Sequence, residues 1–526
     1  MTITRRSTLQ GLLAGGTLAA IPGWARAAEA PAQPWTIPAM RRWRPAPGSF
    51  HINSPARVVV TPREAEELSP TAETTAEDLE ALLRIPARVL VTARPPRRGE
   101  VRLRLGAEDA VLGAEGYRME LGAAAVITAN TAAGAFHGTR SLLQLLAQPG
   151  PVPAGVALDW PRYADRGLMV DVGRKHFSYE WLVARVHECA YLKLNYLHLW
   201  FTENLGWRIE SERHPEIVSA EHLTKQQVRD LTELASRYHV TVVSGITMPG
   251  HMGAALAPHP EFQLRDVSGR ANETALDFTI PQARQFAFDL VDEYLPLFPN
   301  QRWTISADEY LPAATYPLYP QLEEYARQRY GDSANAKDAV FGFVNDINAH
   351  VRAHGRTARV SNDDLDGGEA VAVDPDTVVE WWTDISPLSD PSPPTPAEIL
   401  DSGHEIHNIS WYPTYYSNLG FPLPPKPDLE GMYETWAVHR FRGPMYLHGD
   451  IGAPYHDIDP SEPRNSGSRL NVWNDDPEAE TEQEIAEGIH PRLRVMAQQT
   501  WESPKLVPTY AEFEKIIDAV GEPPRT

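Results

Sequence analysis

From Pro161 onward the chain alternates between short apolar runs and longer segments whose apolar residues recur every three or four positions. The short runs are typical of buried parallel strands, and the longer segments have the period of amphipathic helices. This alternation predicts parallel strands joined by helices, and eight such strands predict a closed (β/α)8 barrel, a TIM barrel. The eight predicted strands are residues 167–172, 196–200, 240–246, 303–306, 358–361, 378–382, 405–410 and 469–473.

Residues 28–160 have a different hydrophobic pattern, in which short β-rich runs alternate with two helical patterns at 75–83 and 134–146. This mixture predicts a small α+β domain in front of the barrel. The proline-rich stretch at 149–153 supplies fixed backbone angles and few amide donors, so we expect a linker there. The predicted organisation is therefore an α/β chain with an α+β domain over 28–160 and a barrel domain over 161–526.

The first 27 residues have the three parts of an export signal. Arg5 and Arg6 form a basic start, a short apolar stretch follows, and Ala25-Arg26-Ala27 fits a small-residue cleavage site. Paired arginines ahead of the apolar stretch are typical of the twin-arginine route. We therefore predict a twin-arginine signal peptide over 1–27 and an exported protein, periplasmic or extracellular, without a membrane span.

The composition excludes several classes of protein. Hydrophobic residues make up 42% of the chain, which predicts a large core and excludes a disordered chain. The formal net charge is -22 and no basic run stands out, so we expect no nucleic-acid partner. The single cysteine, Cys189, permits no intrachain disulfide. A metal-dependent sugar deacetylase would need clustered ligands, but the His-containing segments 404–407 and 448–450 lack a zinc-site spacing, so we predict no metal.

Polar side chains collect at or just past the ends of the predicted barrel strands, where barrels place their active sites. The sharpest case is residues 303–310, an apolar strand that ends in Asp308 and Glu309. Neighbouring residues on a regular strand point to opposite faces, so both acids reach one ligand only if the backbone turns there. A solvated acidic pair is the alternative. The other residues at these strand ends are Arg174, Glu203, His251, Asp363, Asp384 and Asp475.

Several dispersed motifs, in the same order along the chain, resemble family 20 glycoside hydrolases, the β-N-acetylhexosaminidase group. Residues 166–174 resemble that family's first barrel strand, and residues 202–208, Thr-Glu-Asn-Leu-Gly-Trp-Arg, resemble its Thr-Asp-Asp-Gln-Gly-Trp-Arg loop. Residues 248–251, Met-Pro-Gly-His, match the family outright, and residues 306–309, Ser-Ala-Asp-Glu, stand where it has Gly-Gly-Asp-Glu. The resemblance covers nearly the whole chain after the export signal.

This resemblance implies a retaining glycoside hydrolase that cleaves β-linked N-acetylhexosamine, with the 2-acetamido group of the sugar as the nucleophile. Asp308 would orient and stabilise that group, and Glu309 would be the general acid and then the base. Arg166 matches the family arginine that binds sugar hydroxyls. We expect an oligosaccharide or glycoconjugate containing N-acetylhexosamine as the partner, and no cofactor. The predicted substrate-binding residues are Arg166, Glu203, His251, Trp382, Trp411, Tyr416, Asn418, Trp473 and Asp475.

Departures from the family pattern leave the substrate open. Residues 245–247 are Gly-Ile-Thr where the family usually carries Glu-Ile-Asp, and its Tyr-x-Asp and Trp-x-Glu appear as Tyr-Ser-Asn at 416–418 and Trp-Asn-Asp at 473–475. The shorter acid at 475 resembles the lacto-N-biosidase branch, in which a second sugar fits beyond the hexosamine. Two alternatives therefore stand: lacto-N-biosidase-like release of a disaccharide, and a non-catalytic carbohydrate-binding protein. The oligomeric state stays open.

Overall fold

A seven-stranded sheet with two helices forms the first part of the fold. The computed structural model describes residues 33–106, 109–386, 392–418, 428–444 and 453–524, so the predicted signal peptide lies outside the described residues. The elements of this part are β1 (Arg42–Phe50), β2 (Ala56–Val60), α1 (Ala65–Leu83), β3 (Ala87–Val91), β4 (Val101–Leu105), β5 (Tyr117–Leu121), β6 (Ala125–Ala129), α2 (Ala132–Ala147) and β7 (Val152–Asp159). The sheet has the strand order β1-β7-β5-β6-β4-β2-β3.

Alternation of side chains along the strands places both helices on one face of this sheet. In β2, Ala56, Val58 and Val60 are fully buried in the core against which α1 and α2 pack. Arg57 and Val59 point to the other face, because successive residues of a strand alternate. We call this second face, opposite the two helices, the open sheet face.

The predicted linker at 149–153 is wrong, because β7 begins at Val152 and lies in the interior of the sheet, between β1 and β5. Pro153 is compatible with this position because it stands at the start of the strand, where β1 bulges between Pro45 and Ser49 and the ladder is interrupted. Strand β1 was not predicted either. It consists largely of exposed and half-buried residues and has no apolar run.

The remaining elements form the barrel and its surrounding helices. In chain order they are β8 (Asp165–Asp171), α3 (Tyr179–Tyr191), β9 (Tyr196–Trp200), α4 (Lys225–Arg237), β10 (Thr241–Ser244), α5 (Gly253–Leu256), β11 (Gln263–Arg265), β12 (Ala271–Leu276), α6 (Pro281–Tyr294), β13 (Arg302–Ser306), α7 (Pro320–Tyr330), α8 (Ala336–Ala353), β14 (Thr357–Ser361), β15 (Val378–Trp381), α9 (Pro396–Asp401), β16 (Glu405–Asn408), α10 (Trp411–Thr414), β17 (Tyr415–Ser417), β18 (Arg440–Phe441), β19 (His456–Asp457), β20 (Asn465–Trp473), α11 (Glu482–Trp501) and α12 (Tyr510–Val520). Eight parallel strands follow the order β10-β9-β8-β20-β16-β15-β14-β13. The predicted fold class, a barrel preceded by a small α+β domain, is confirmed.

The barrel closes between β10 and β13, the two ends of that strand order, through a bridge between Gly245 and Thr304. The two backbones approach so closely here that a Cβ atom on Gly245 would lie 1.9 Å from the carbonyl oxygen of Thr304. No side chain fits in that space without moving backbone. The barrel can therefore close in this way only with glycine at position 245.

Arg166 lies at the amino-terminal end of β8 and joins the barrel to the sheet domain. Its side chain is fully buried and donates two hydrogen bonds of 2.8 Å to the carboxylate of Glu115, which precedes β5. The carbonyls of Tyr163 and Lys193 accept further bonds from the same guanidinium. Burial alone would raise the pKa of Glu115, but Arg166 lowers that pKa to about 2. The prediction of Arg166 as a sugar ligand is wrong, since active-site residues of barrels lie at the opposite ends of the strands.

We expect Arg166→Met to lower the free energy of unfolding by about 2–3 kcal/mol, because it leaves the half-buried Glu115 carboxylate without its charged partner. The depressed pKa of Glu115 stabilises the fold above its ordinary value of 4.5, and that stabilisation is lost as the pH falls toward about 2. Urea unfolding at neutral and acidic pH measures both effects, and the Arg166→Met, Glu115→Gln double variant should recover part of the loss. A large rise in KM at unchanged stability would restore the sugar-ligand assignment.

Candidate active site

The backbone turns where β13 ends, and this turn brings both acids to one side. Ser306, Ala307 and Glu309 have φ angles of 62°, 62° and 49°, in the left-handed region that non-glycine residues seldom occupy. A run of such residues costs conformational energy and is typical of functional sites. Because the regular alternation of the strand is broken here, Asp308 and Glu309 no longer point to opposite faces. The 306–307 pair also occupies the position of two family glycines, which adopt these angles without strain.

His251 lies against both acids. Its Nε2 atom is 3.7 Å from Oδ2 of Asp308 and 3.4 Å from Oε2 of Glu309. The preceding Gly250 allows this approach, because a Cβ atom there would lie 2.9 Å from the carbonyl oxygen of Asp308. The two carboxyl groups are 17% and 22% exposed, so they remain open to a ligand. Asp308 and Glu309 therefore share one site at the mouth of the barrel.

A buried chain of charges continues from His251 through Glu203 to Arg174. The carboxylate of Glu203 lies 3.0 Å from Nδ1 of His251 and 3.0 Å from the guanidinium of Arg174, which also bonds Asp171 at 2.9 Å. Trp200 donates its indole N–H to the same carboxylate at 3.1 Å. Burial opposes the ionisation of Glu203, but Arg174 and His251 lower its pKa to about 2. Glu203 is thus a fixed negative charge behind the imidazole.

This arrangement sets the protonation of His251 and Asp308. Burial alone would lower the pKa of His251, but the carboxylates of Glu203 and Asp308 raise it well above its ordinary value. The imidazole is therefore protonated at neutral pH. Burial raises the pKa of Asp308, the protonated His251 opposes this, and the nearby Glu309 raises it further. Asp308 consequently takes up a proton at a higher pH than an ordinary aspartate.

Aromatic side chains from four strand ends form a continuous wall beside the acids. Trp200 and Trp473 meet edge to face at 5.1 Å, and Tyr415 lies 5.8 Å from Trp473. Tyr415 is in turn parallel to Trp382 at 6.4 Å and packs against Trp411 at 5.0 Å. Trp382, Trp411 and Trp473 are only partly buried. Rings of this kind suit the C–H faces of a pyranose, so the wall fits a sugar ring.

Asp363 ties this aromatic wall to the acid turn. One oxygen of its carboxylate accepts the indole N–H of Trp382 at 2.9 Å, and the other accepts the backbone N–H of Glu309 at 3.3 Å. Asp363 lies just past the end of β14 and is fully buried. Its two bonds therefore fix the position of the pocket wall relative to Glu309.

Two predicted sugar contacts point elsewhere. Tyr416 is fully buried and donates its hydroxyl to Glu480 at 3.0 Å, near the start of α11. Its neighbour Tyr415 faces the pocket, because alternate residues of β17 point to opposite sides. Asn418 is buried and accepts the backbone N–H of Asp476 at 3.1 Å, so it holds the loop that carries Asp475. The assignment of Tyr416 to the pocket is thus wrong by one residue, and Asn418 supports the rim from behind.

The other predicted residues lie around one opening. Asp308, Glu309 and His251 form the charged side, and the three predicted tryptophans belong to the wall. Glu203, predicted as a substrate-binding residue, is 2% exposed and lies behind His251 instead. Asp475 accepts the hydroxyl of Ser417 at 2.8 Å and lies near Arg174. The sequence did not single out Tyr415, the bracing role of Asp363 or the role of Arg174, which packs 5.2 Å from the Trp473 ring. Arg174 carried a usable signal, because it follows β8 at the active end of the strand.

Ser306 offers a direct test of how the acid turn is held. Its hydroxyl donates to Oδ1 of Asp308 at 2.6 Å and lies 3.0 Å from the hydroxyl of Ser361. Ser306→Ala and Ser306→Gly both remove the bond to a charged group, worth about 1.5–3 kcal/mol, so each should lower kcat roughly tenfold or more. Glycine also relieves the positive φ, so Ser306→Gly should be more stable than Ser306→Ala by about 1 kcal/mol or more.

Steady-state kinetics and thermal unfolding of the two variants separate these effects. If both variants kept full kcat, Asp308 would be held by its other contacts alone. If Ser306→Ala were the more stable of the two, the backbone at this turn would carry no strain.

The family models identify the class of protein to which this fold and site belong. The model of the glycosyl hydrolase family 20 catalytic domain matches residues 163–504, and that of the family's domain 2 matches residues 33–160. The chain therefore belongs to glycosyl hydrolase family 20. The resemblance noted in the sequence is confirmed.

Individual relatives agree with this classification. The chain is 27% identical over 534 residues to a lacto-N-biosidase of Bifidobacterium bifidum, which covers 99% of this chain and 45% of the relative. It is 28% identical over 365 residues to a β-hexosaminidase of Porphyromonas gingivalis, which covers 63% of this chain and 45% of that relative. The chain thus spans less than half the length of either relative.

Solved structures share the fold. A β-N-acetylhexosaminidase from Bacteroides fragilis superposes with a TM-score of 0.72 at 20% identity, covering 92% of this chain and 94% of that chain. A mutant Streptomyces plicatus β-hexosaminidase in complex with the product GlcNAc gives 0.70 at 24% identity, covering 92% and 93%. Among the helices of the described ranges, none combines the length and the apolar character that crossing a membrane requires.

Proposed function

We propose that this protein hydrolyses β-linked N-acetylhexosamine residues with retention of configuration, using the 2-acetamido group of the substrate as the nucleophile. The observation that carries the proposal is the convergence of Asp308 and Glu309 on one imidazole, at 3.7 and 3.4 Å. Two carboxyl groups on one side of a sugar suffice when the substrate supplies its own nucleophile. Family membership supports the same reaction.

In the first step, the acetamido oxygen forms a bond to the anomeric carbon while the bond from that carbon to the leaving oxygen breaks. Glu309 gives its proton to the leaving oxygen, so the aglycone departs as a neutral alcohol. Asp308 accepts the acetamido N–H, which orients the amide and stabilises the positive charge of the oxazolinium-like intermediate. The bond from Ser306 holds Asp308 in place for this contact.

In the second step, Glu309 is a carboxylate and takes a proton from a water molecule. The oxygen of that water bonds to the anomeric carbon, and the bond to the acetamido oxygen breaks, which restores the amide. The protonated His251 lies beside Glu309 and stabilises its negative charge between the two steps. Glu203 keeps the imidazole protonated.

The aromatic wall and Arg174 complete the pocket. Trp382, Tyr415 and Trp473 would enclose the acetamido methyl and the ring face, since the wall stands beside Asp308. We assign to Arg174, rather than Arg166, the contact with sugar hydroxyls, because its guanidinium lies against the Trp473 ring and keeps 15% exposure. Arg174→Lys should therefore raise KM, because lysine lacks the planar fork of donors.

The proposal is tested by hydrolysis of an aryl β-N-acetylglucosaminide, with the matching aryl β-glucoside as the control. We expect turnover of the first alone, because the glucoside has no acetamido nucleophile. Proton NMR of the first product formed should show the β-anomer. Equal turnover of both substrates, or an initial α-anomer, would exclude substrate assistance. Sugar binding without turnover of the aryl N-acetylglucosaminide or of a galactose-capped tetrasaccharide would instead favour the non-catalytic alternative.

A second candidate function is release of a disaccharide, as the name lacto-N-biosidase states for the Bifidobacterium bifidum relative. The observation that favours it is Asp475, whose side chain is one methylene shorter than the family's usual glutamate and is drawn toward Ser417 by a 2.8 Å bond. Both effects leave space beyond the hexosamine.

Product analysis distinguishes the two activities. The protein is incubated separately with chitobiose and with a galactose-capped tetrasaccharide. If it removes single residues, chitobiose should yield N-acetylglucosamine. A disaccharide from the second would establish the alternative. We expect Asp475→Glu to reduce disaccharide release specifically, because the longer acid occupies the added space.

We further propose that the protein is exported by the twin-arginine route, on the support of Arg5 and Arg6 ahead of the apolar stretch. A reporter fused after residue 27 should accumulate outside the cytoplasm, and replacement of both arginines by lysine should abolish this. Unchanged export of the double-lysine variant would indicate the general secretory route instead.

A further inference from the structure

The sheet domain is nearly neutral, whereas the rest of the chain is strongly acidic. Residues 33–160 contain 14 arginines and 13 acidic residues, whereas the whole chain has a formal net charge of -22. The excess of acid therefore belongs to the barrel part. The acidic surface of the barrel part repels an anionic partner, whereas an arginine-rich surface attracts it. Such a partner would therefore be directed to the arginine-rich surface.

The register of the sheet brings the arginines of five strands onto the open sheet face. Arg42 and Arg118 both pair with Leu158, and Arg118 and Arg104 both pair with Thr128. The three arginines thus lie in one row across the sheet, each two strands from the next. Strands are about 4.8 Å apart, so the spacing of these charges is roughly 9–10 Å.

Further arginines occupy the same face beside this row. Arg44 and Arg102 lie in the next row, two residues along their strands from Arg42 and Arg104. Arg57 and Arg88 pair with each other on β2 and β3. The acids on this face are Glu120, which bonds Arg118 at 2.8 Å, and Glu100, which bonds Arg94 and lies 3.6 Å from Arg57.

Four exposed arginines of this face have no carboxylate partner among the described residues. They are Arg42, Arg44, Arg88 and Arg104. Arg118, on the same face, is the contrast, because Glu120 pairs with it at 2.8 Å. The open sheet face therefore presents uncompensated guanidinium groups.

The arginine rows lead into a groove of about 1360 Å³ at the carboxyl ends of β2 and β4. Arg94, Arg102 and Arg104 line it on the sheet side, and Glu66 and Glu67 line it on the side of α1. Arg102 is 5% exposed, and its Nε–H has no acceptor within the described ranges. Ligands of open sheets with parallel strands bind at this end of the strands.

We propose that the open sheet face and its groove bind an acidic polysaccharide, one that carries a carboxylate or sulfate group at regular intervals. Guanidinium forks match the oxygens of both anions. In a polysaccharide with one anion per disaccharide, the distance between successive anions is similar to the distance between successive arginines of the row. The glutamates of the groove accept sugar hydroxyls, whereas they would repel an anionic lipid surface, and a recessed groove does not fit a flat bilayer. This site is separate from the barrel and does not depend on the proposed hydrolysis.

The test is a binding titration of the full chain with heparin, hyaluronan and dextran, and with vesicles of anionic phospholipid. We expect binding of heparin or hyaluronan, weakening with salt, and no binding of neutral dextran. Arg44→Gln, Arg88→Gln and Arg104→Gln combined should lower the affinity roughly tenfold or more, because three guanidinium contacts with the anions are lost.

The matched control removes three exposed arginines from the barrel part, Arg229→Gln, Arg270→Gln and Arg327→Gln, and should keep the full affinity. Thermal unfolding confirms that both triple variants are folded. The proposal is overturned if neither acidic polysaccharide binds, if both variants lose affinity equally, or if the vesicles bind and the polysaccharides do not. Because the titration involves no turnover, its result is independent of whether the barrel hydrolyses hexosaminides.

Discussion

Replacement of Glu309 by glutamine should lower kcat/KM for chitobiose by about 10²–10⁴-fold, because the amide cannot give a proton to the departing oxygen. The loss should be much smaller for an aryl substrate whose leaving group is a weak base, since such a group departs without a proton. The ratio of the two losses therefore reports the acid role of Glu309 and separates it from general damage to the pocket.

A matched control is Glu369→Gln, which changes an exposed glutamate in the segment between β14 and β15. Its activity on both substrates should equal that of the unchanged protein. Retention of more than about a tenth of the chitobiose activity by Glu309→Gln would exclude Glu309 as the acid. An equal loss on both substrates would assign the residue to substrate positioning instead.

Replacement of Asp308 by asparagine should lower kcat by about 10²–10³-fold, the usual cost of removing one preorganised group that stabilises transition-state charge. The substitution keeps the shape of the side chain and the contact with Ser306. It removes the negative charge that accepts the acetamido N–H and stabilises the oxazolinium-like intermediate. The defect should therefore fall on kcat more than on KM.

The pH profile provides an independent check on Asp308. Burial raises its pKa, and His251 opposes that shift without cancelling it. As the pH falls, Asp308 becomes protonated earlier than an ordinary aspartate and loses its function as an acceptor. The acidic limb of kcat should thus lie above the usual aspartate range and should change in Asp308→Asn. An unchanged limb in that variant would assign it to another group.

The barrel could be predicted because its strands are buried on both faces and so appear as uninterrupted apolar runs. The observed β13, Arg302–Ser306, differs from the prediction by one residue. The predicted strand at 240–246 is shorter in the structure, Thr241–Ser244, because Gly245 leaves the ladder with β9 and bridges to Thr304 instead. Strands β1 and β7 were not predicted, since one of their faces is solvated and prolines interrupt the pattern.

The candidate site was harder to predict than the fold. The motif at residues 166–174 contains both Arg166 and Arg174, one at each end of the same strand. Only the direction of that strand in the barrel shows that Arg174 lies at the end that carries the active site. Tyr415 and Tyr416 are adjacent, and successive residues of a strand point to opposite faces. An error of one residue in the register therefore places Tyr416 rather than Tyr415 in the pocket. The bracing bonds of Ser306 and Asp363 depend on which strands are neighbours in the closed barrel. That information is absent from the linear pattern.

The glycine at the closure between β10 and β13 limits how this protein can change. The family's usual glutamate at this position would have to displace the backbone of Thr304, two residues before Ser306. Widening that junction would move the very strand that presents Asp308 and Glu309. Replacing Gly245 by the family residue should therefore weaken catalysis rather than restore the family's usual specificity, and the pocket can change without this cost only in the loops beyond the strand ends.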